Sequence, residues 1–184
     1  MSILETERLL FRYHEEGDLD AYSEMMADPE FRSLCGGLPL SREEAEKSFR
    51  HILSNGTLAP RPMTLLATVY KPEGRYIGRC GLYPPRNDDN AVIPGEGVLA
   101  YYLARPYWGR GLATEAARAF LNYGFKELGL SRIVAGANVL NVASNRVLQK
   151  IGMVWVYTGE GGGNTYHDYE LRNPSLTEKT ADLC

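Results

Sequence analysis

Cysteine is scarce in this 184-residue chain: Cys35, Cys80 and Cys184 are three, with no C-x-x-C spacing. An odd, unpatterned set argues against both a disulfide framework and a zinc site, so no metal is expected. Free thiols point to a reducing compartment. Long apolar runs are absent too. Nothing approaches the length that crosses a bilayer, and charge is spread through residues 1 to 13, unlike a signal peptide. The expectation is a cytoplasmic protein with no membrane partner. Charge of one sign is also lacking: 20 Lys+Arg against 23 Asp+Glu leave −3, which speaks against a nucleic-acid-wrapping surface. There is no internal repeat and no shift of composition. One domain over residues 1 to 173, with a polar tail from 174 to 184, is the expected organisation.

What is present is 44% hydrophobic residues, enough for one well-buried core. Leu4 to Tyr13 reads as a first strand. Asp18 opens a helix to about Ala27 that Asp28-Pro29 stops. Ser41 with Glu44 is a capping box for a helix to about Leu53. Met63 to Tyr70 and Tyr76 to Tyr83, around a Pro-Glu-Gly turn, read as a hairpin. Pro84 to Pro94 is a polar loop that borders a site or moves. Val98 to Leu103 is a strand, a long helix follows Gly111, and Arg132 to Val139 is the next strand. A helix from Asn141 ends at Gly152. Val154 to Tyr157 and Tyr166 to Leu171 close the chain. The order β-α-α-β-β-β-α-β-α-β-β gives an α/β fold: one mixed sheet of about seven strands with helices on both faces.

The most informative stretch is Gly109-Arg110-Gly111-Leu112-Ala113-Thr114. A glycine turn opening a helix leaves backbone N–H groups unpaired at the positive end of the dipole, a ready site for phosphate. It is not a Walker A loop, which needs four residues between its glycines and a Lys-Ser/Thr after them. A dinucleotide fingerprint would put glycine where Thr114 stands and would lie in an early βαβ unit.

The segment resembles the coenzyme-A loop of the GNAT N-acetyltransferases, whose pattern is Gln/Arg-x-x-Gly-x-Gly/Ala. Gly111 and Ala113 match; Trp108 departs at the first position. Thr6-Glu7-Arg8-Leu9, Asn141-x-x-Ser144, Lys150-x-Gly152-Met153 and His167-Asp168 extend the resemblance over about Leu4 to Leu171, nearest to the ribosomal-protein alanine N-acetyltransferase branch. It implies acetyl-CoA as cofactor and acetyl transfer to a primary amine, a protein N-terminus or a small amine, in a monomer or homodimer. Gly109, Arg110, Gly111, Leu112, Ala113 and Thr114 would hold the pyrophosphate. The backbone of Leu99, Tyr101 and Leu103 would hold the pantetheine arm in a slot where this strand splays from the next. Tyr101 and Tyr102 read as core or slot wall, Trp108 as an anchor under the turn or a direct contact, and Arg110 as a cofactor contact or a solvated cation. Asn141 is a helix cap, a partner of the arm, or both.

The implied chemistry needs a base for the amine and an acid for the departing thiolate. Glu96 is the first candidate base. The family's glutamate aligns with Val98, and Glu96, two residues earlier, faces the same side of a regular strand. Glu115, in the first turn of the long helix, competes with a purely structural reading; Glu160 is a third candidate. The tyrosine acid of many relatives is replaced here by Leu148, so Ser144 is its substitute. His167 reads as a packed residue. The loop from Cys35 to Pro39 and the Pro84–Pro94 loop are candidate acceptor walls. A non-catalytic acyl-CoA-binding or regulatory module on the same scaffold is the alternative.

Overall fold

A computed structural model of the protein describes residues 2–35, 37–56 and 63–176. Eight strands form one sheet: β1 (Ser2–Glu5), β2 (Leu9–Arg12), β3 (Leu65–Tyr70), β4 (Arg75–Tyr83), β5 (Glu96–Leu103), β6 (Arg132–Asn138), β7 (Val154–Gly161) and β8 (Asn164–Arg172). Their spatial order is β1-β2-β3-β4-β5-β6-β8-β7. Every neighbouring pair is antiparallel except β5 and β6, which are parallel. Parallel neighbours need a crossover. Here it is α4 (Leu112–Lys126). The other α-helices described are α1 (Leu19–Ala27), α2 (Pro29–Leu34), α3 (Arg42–Gly56) and α5 (Val142–Lys150).

Each face of the sheet carries its own core. Leu112, Ala116, Phe120 and Gly124 recur every four residues along α4 and are buried with Leu82, Leu99, Leu103 and Ile133 from the strands. Gly124 lets the helix sit close: a Cβ there would lie 2.7 Å from Ile133 Cδ1 and 2.8 Å from Leu82 Cδ1. On the opposite face Tyr22, Met25, Phe31 and Phe49 of α1, α2 and α3 cover Ala67 and Tyr76. No described helix is long and apolar enough to cross a membrane.

Three local expectations are corrected. The opening segment is two strands, because Thr6 folds it into a corner: its N–H donates to the Leu9 carbonyl at 2.9 Å and its hydroxyl accepts from the Leu9 N–H at 3.0 Å. The sheet therefore has eight strands where about seven were expected. Asp28-Pro29 ends α1 but also starts α2: the Asp28 carboxylate accepts from the amides of Glu30 and Phe31, and Pro29 fits the first helical position. The Pro84–Pro94 loop is pinned by an Arg86–Val92 bridge and an Arg86 side-chain bond to the Asn90 carbonyl at 2.6 Å. The tail expected from 174 on begins with a helical turn at residues 174–176; residues 177–184 lie outside those described.

The pairing that matters most is the shortest. β5 meets β6 only at Glu96–Arg132, Gly97–Ile133 and Val98–Val134. Beyond Val98 the strands part while each keeps its other partner, so a slot opens with backbone on both sides.

Candidate active site

The edge of β5 facing the slot follows from alternation. Ala104 N–H donates to the Ile77 carbonyl at 2.8 Å, and the β4–β5 register is unbroken between Val98 and Leu103. In an antiparallel pair successive residues turn their N–H and C=O to opposite sides. Val98, Ala100 and Tyr102 thus bond to β4, and Leu99, Tyr101 and Leu103 present theirs to the slot. One of those groups is already used: Trp108 Nε1 donates to the Leu103 carbonyl at 2.6 Å.

At the open end of the slot stands the N-terminus of α4. Gly109 and Gly111 have φ of 70° and 77°, a left-handed backbone that side chains resist. The first helical hydrogen bond is Glu115 N–H to Gly111 carbonyl at 3.0 Å, and none of the amides from Gly109 to Thr114 meets a protein acceptor among the described residues. They form a cradle of donors at the positive helix end. A cavity of about 350 Å3 runs from it, lined by Gly109, Gly111, Ala113 and Thr114 at one end and by Tyr101 and Ser144 at the other.

Asn141 and Ser144 stand at the start of α5. The Asn141 side-chain oxygen accepts from Ser144 N–H at 3.0 Å, so Asn141 is the helix cap, while the residue also lines the cavity. The Tyr101 hydroxyl reaches across the slot to Ser144, 2.9 Å from its Oγ and 3.2 Å from its carbonyl. Burial raises the Tyr101 phenol above its ordinary pKa, partly offset by the Ser144 bond. This phenol is therefore a neutral hydrogen-bonding group. Under α5, Asn145 donates to the carbonyls of Asn138 and Asn141 and accepts from the Tyr169 hydroxyl, fixing the β6–α5 corner.

Past Tyr101 and Ser144 a second cavity, of about 520 Å3, spreads over β5, β6, β8 and β7 on the face that carries α2. It is bounded by Cys35 and Tyr102 on one side and by Asp168 and Tyr157 on the other. Asp168 lies over Gly136, where a Cβ would come within 3.2 Å of its Oδ1. A wider hollow of about 830 Å3 lies along the exposed side of α4, bordered by Arg8, Glu115 and Arg118, and includes neither Tyr101 nor Ser144.

Residues 8–154 match the acetyltransferase (GNAT) domain. The chain belongs to the GNAT acetyltransferase family. It is accordingly an acetyl-CoA-dependent N-acetyltransferase. A Bacillus subtilis protein, the uncharacterized YkkB, is 32% identical over 154 residues, covering 82% of this acetyltransferase and 84% of that protein. Among solved structures, a GNAT acetyltransferase from Bacillus anthracis superimposes with a TM-score of 0.77 at 23% identity, covering 92% and 98% of the two chains. The ribosomal-protein-S5-alanine acetyltransferase of Vibrio fischeri gives 0.72 at 20% identity, covering 95% and 97%. The spermidine N-acetyltransferase of Vibrio cholerae, in complex with CoA and spermine, gives 0.70 at 19%, covering 91% and 97%. At such identities the three structures show the fold.

The acetyltransferase brings most of its sequence-predicted cofactor residues together. Tyr101, Leu103, Trp108, Gly109, Gly111, Leu112, Ala113, Thr114, Asn141 and Ser144 line the groove, and Leu99 continues into the second cavity. Arg110 differs. Its guanidinium stacks on Tyr70 and Tyr107 at 4.8 and 5.3 Å and donates to the Tyr70 hydroxyl, so only its backbone faces the cradle. Positive charge in the groove comes instead from Arg146 and Lys150 of α5. Trp108 packs against the core, and its ring also forms part of the groove wall.

The two leading candidate bases stand apart from the groove. β5 does extend to Glu96, but Glu96 is ion-paired with Arg132 at 3.0 Å at the closed end of the slot and lines neither cavity. Glu115 accepts from the Thr6 hydroxyl at 2.6 Å and from the Arg8 amide and guanidinium. Burial opposes its charge, yet those donors hold its carboxyl below the ordinary range. It braces the loop, since Arg8 also donates to the Arg110 carbonyl at 2.9 Å. Glu160 does line the second cavity. His167 bonds Thr158 and packs edge-on to Trp155, as a structural residue does. Cys35 lines both cavities, whereas no described residue from Pro84 to Pro94 lines either. The sequence reading missed Asp168 as a cavity carboxylate and the Tyr101–Ser144 bond. Alternation along β8 was the available signal for the first; the second joins residues 43 apart and had none.

Proposed function

We infer that this acetyltransferase moves the acetyl group onto a primary amine, a small amine or a protein N-terminus, by direct attack of the amine on the thioester. One observation carries the reading: unengaged amides at Gly109 to Thr114 and the open backbone edge of β5 belong to one groove that ends at Ser144. The donors suit a diphosphate, the edge suits the amides of a pantetheine arm, and the left-handed glycines keep the cradle free of side chains. Bound there, acetyl-CoA supplies an acetyl group activated as a thioester.

The chain's own residues then do the rest. Asp168, half-buried in the second cavity with no hydrogen-bonding or ion-pair partner among the described residues, takes the proton that the ammonium must lose. Of the sequence candidates for that role, Glu96 is paired with Arg132, Glu115 is paired with Arg8, and Glu160 is exposed on β7, which makes each the weaker choice. Ser144, oriented by Tyr101, donates a hydrogen bond where sulfur departs. The test is release of the CoA thiol when the protein is mixed with acetyl-CoA and a panel of primary amines. Amine-dependent release supports acetyl transfer; tight CoA binding without release from any amine would leave the non-catalytic acyl-CoA module in its place.

A further inference from the structure

The corner between β1 and β2 lies against the first turn of α4, outside the groove. Thr6 and Arg8 border the hollow along the outer side of α4 and line neither the groove nor the second cavity. Arg8 is fixed there by its backbone as well as its side chain. Its N–H donates to Glu115 Oε1 at 2.9 Å, and its carbonyl accepts from Lys71 N–H at 3.0 Å. The Thr6 hydroxyl donates to the same Glu115 oxygen at 2.6 Å, and Lys71 Nζ donates to the Thr6 carbonyl at 2.7 Å. From this anchored position the guanidinium forks. Nε and Nη2 each lie 2.7 Å from Glu115 Oε2, while Nη1 donates to the Arg110 carbonyl at 2.9 Å.

That last bond decides which way the turn faces. In a trans peptide the carbonyl and the N–H point in opposite directions. The Arg110 carbonyl is drawn outward to Arg8, so the Gly111 N–H of the same peptide turns inward, to the groove that Gly111 lines. The same carbonyl would be the ordinary i−4 acceptor of Thr114 N–H. Directed at Arg8, it leaves that donor free, and the first helical bond comes one residue later, from Glu115 to Gly111. Glycine permits the φ of 77° at position 111 but does not select it. The selecting contact is close: a Cβ on Gly111 would lie 3.6 Å from Arg8 Nη2. Charge is not what Arg8 offers a diphosphate, since Glu115 neutralises it. In return Arg8 cancels a carboxylate that would otherwise stand unpaired in the first turn, beside an anion.

We propose that Arg8 is a positioning residue of the cofactor cradle. Its guanidinium holds the Arg110 carbonyl outward and so aims the Gly111 and Thr114 amides at the diphosphate. This rests on the acetyltransferase reading above and assigns the geometry of the cradle to a residue 102 positions away in the chain. Thr6 and Glu115 act through Arg8 by fixing the fork. None of the three touches a reacting atom.

CoA is titrated calorimetrically into the full-length protein carrying Arg8→Gln together with Glu115→Gln. The two changes leave the net charge as it was and no charge unpaired, and an amide at position 115 still accepts from Thr6. The expected CoA dissociation constant is about tenfold or more above wild type, with the stoichiometry unchanged. A merely structural role would lower the stoichiometry and leave the dissociation constant alone. If Arg8 acts through the Gly111 amide, adding both changes to Gly111→Val costs less than about a further twofold. Arg8→Lys keeps the ion pair with Glu115 but lacks the planar fork, so it should weaken binding about fivefold or more, and it carries the test if the double variant does not fold. An affinity within about twofold of wild type in either variant, while Gly111→Val weakens binding, overturns the positioning role and leaves the cradle standing. A loss that adds in full to that of Gly111→Val does the same. Unchanged affinity in all of them, Gly111→Val included, overturns the cradle as well.

Discussion

Tyr101 does two jobs from one position. Its backbone lies on the slot edge of β5, and its hydroxyl crosses to Ser144 at 2.9 Å. Many relatives supply a phenol seven residues after the asparagine, where this chain has Leu148, so a phenol reaches this region from a strand instead of a helix. Tyr101→Phe should lower kcat about fivefold, the worth of roughly one hydrogen bond, with the CoA dissociation constant within twofold of wild type. A double-mutant cycle separates positioning from packing: if Tyr101 acts through Ser144, adding Tyr101→Phe to Ser144→Ala costs no further kcat. For Asp168→Asn the account predicts a kcat loss of 10²-fold or more, typical of removing a general base, with CoA affinity retained; Glu96→Gln should do less. A larger loss from Glu96→Gln would return the base to the position the sequence favoured. Residue types and spacing pointed to the residues that line the groove because glycine turns and helix caps are local. The carboxylate proposed as base was not legible, because the pairing of Glu96 with Arg132 and the position of Asp168 over Gly136 are set by β6, more than thirty residues away.

Among the elements, α4 carries the proposed cofactor cradle at its first turn and the core along its length. Its opening was legible because Gly109 and Gly111 have one steric reason to be there. Gly111→Val should weaken CoA binding at least tenfold, as titration calorimetry would register, since a branched side chain at φ 77° shifts the cradle. Gly152 ends α5 with φ 88° and open space around its Cβ position, so Gly152→Ala imposes comparable strain elsewhere and should leave the CoA affinity within twofold. Equal losses from both would mean that global destabilisation, and not the cradle, sets the affinity. Asp28-Pro29 shows why element boundaries were harder to read. The pair breaks a helix and caps one equally well, and what selects the second use is tertiary: Arg105, beyond the end of β5, pairs with Asp28 and Glu30 at 2.9 Å. The first strand was likewise read as one because the Thr6 corner is made by hydrogen bonds, not by glycine or proline.

At the scale of the molecule, the fold class followed from the order of elements, since a long amphipathic helix between two apolar strands calls for a parallel crossover. How far β5 and β6 stay paired was not in that order; by residues alone the slot was only an implication of resemblance. Stability depends on a group outside the site. His14 is half-buried between Phe49 and Tyr76, and its Nε2 is buried without a hydrogen-bond partner. Burial, aided by Arg79 and Arg12 against the opposing pull of Asp18, lowers its pKa from 6.5 to about 4. The unfolded imidazole takes up its proton first, so stability is full above pH 6.5 and falls as pH drops toward 4, by about 1.4 kcal/mol per unit. Urea unfolding should show that slope in the wild type and a flatter one in His14→Gln; equal slopes would mean that His14 is solvated. Acetyl transfer in this groove depends on where the cofactor lies. A crystal structure with coenzyme A should place the diphosphate within hydrogen-bonding distance of the amides between Gly109 and Thr114 and the sulfur beside Ser144; a diphosphate in the hollow along the outer side of α4 would contradict it.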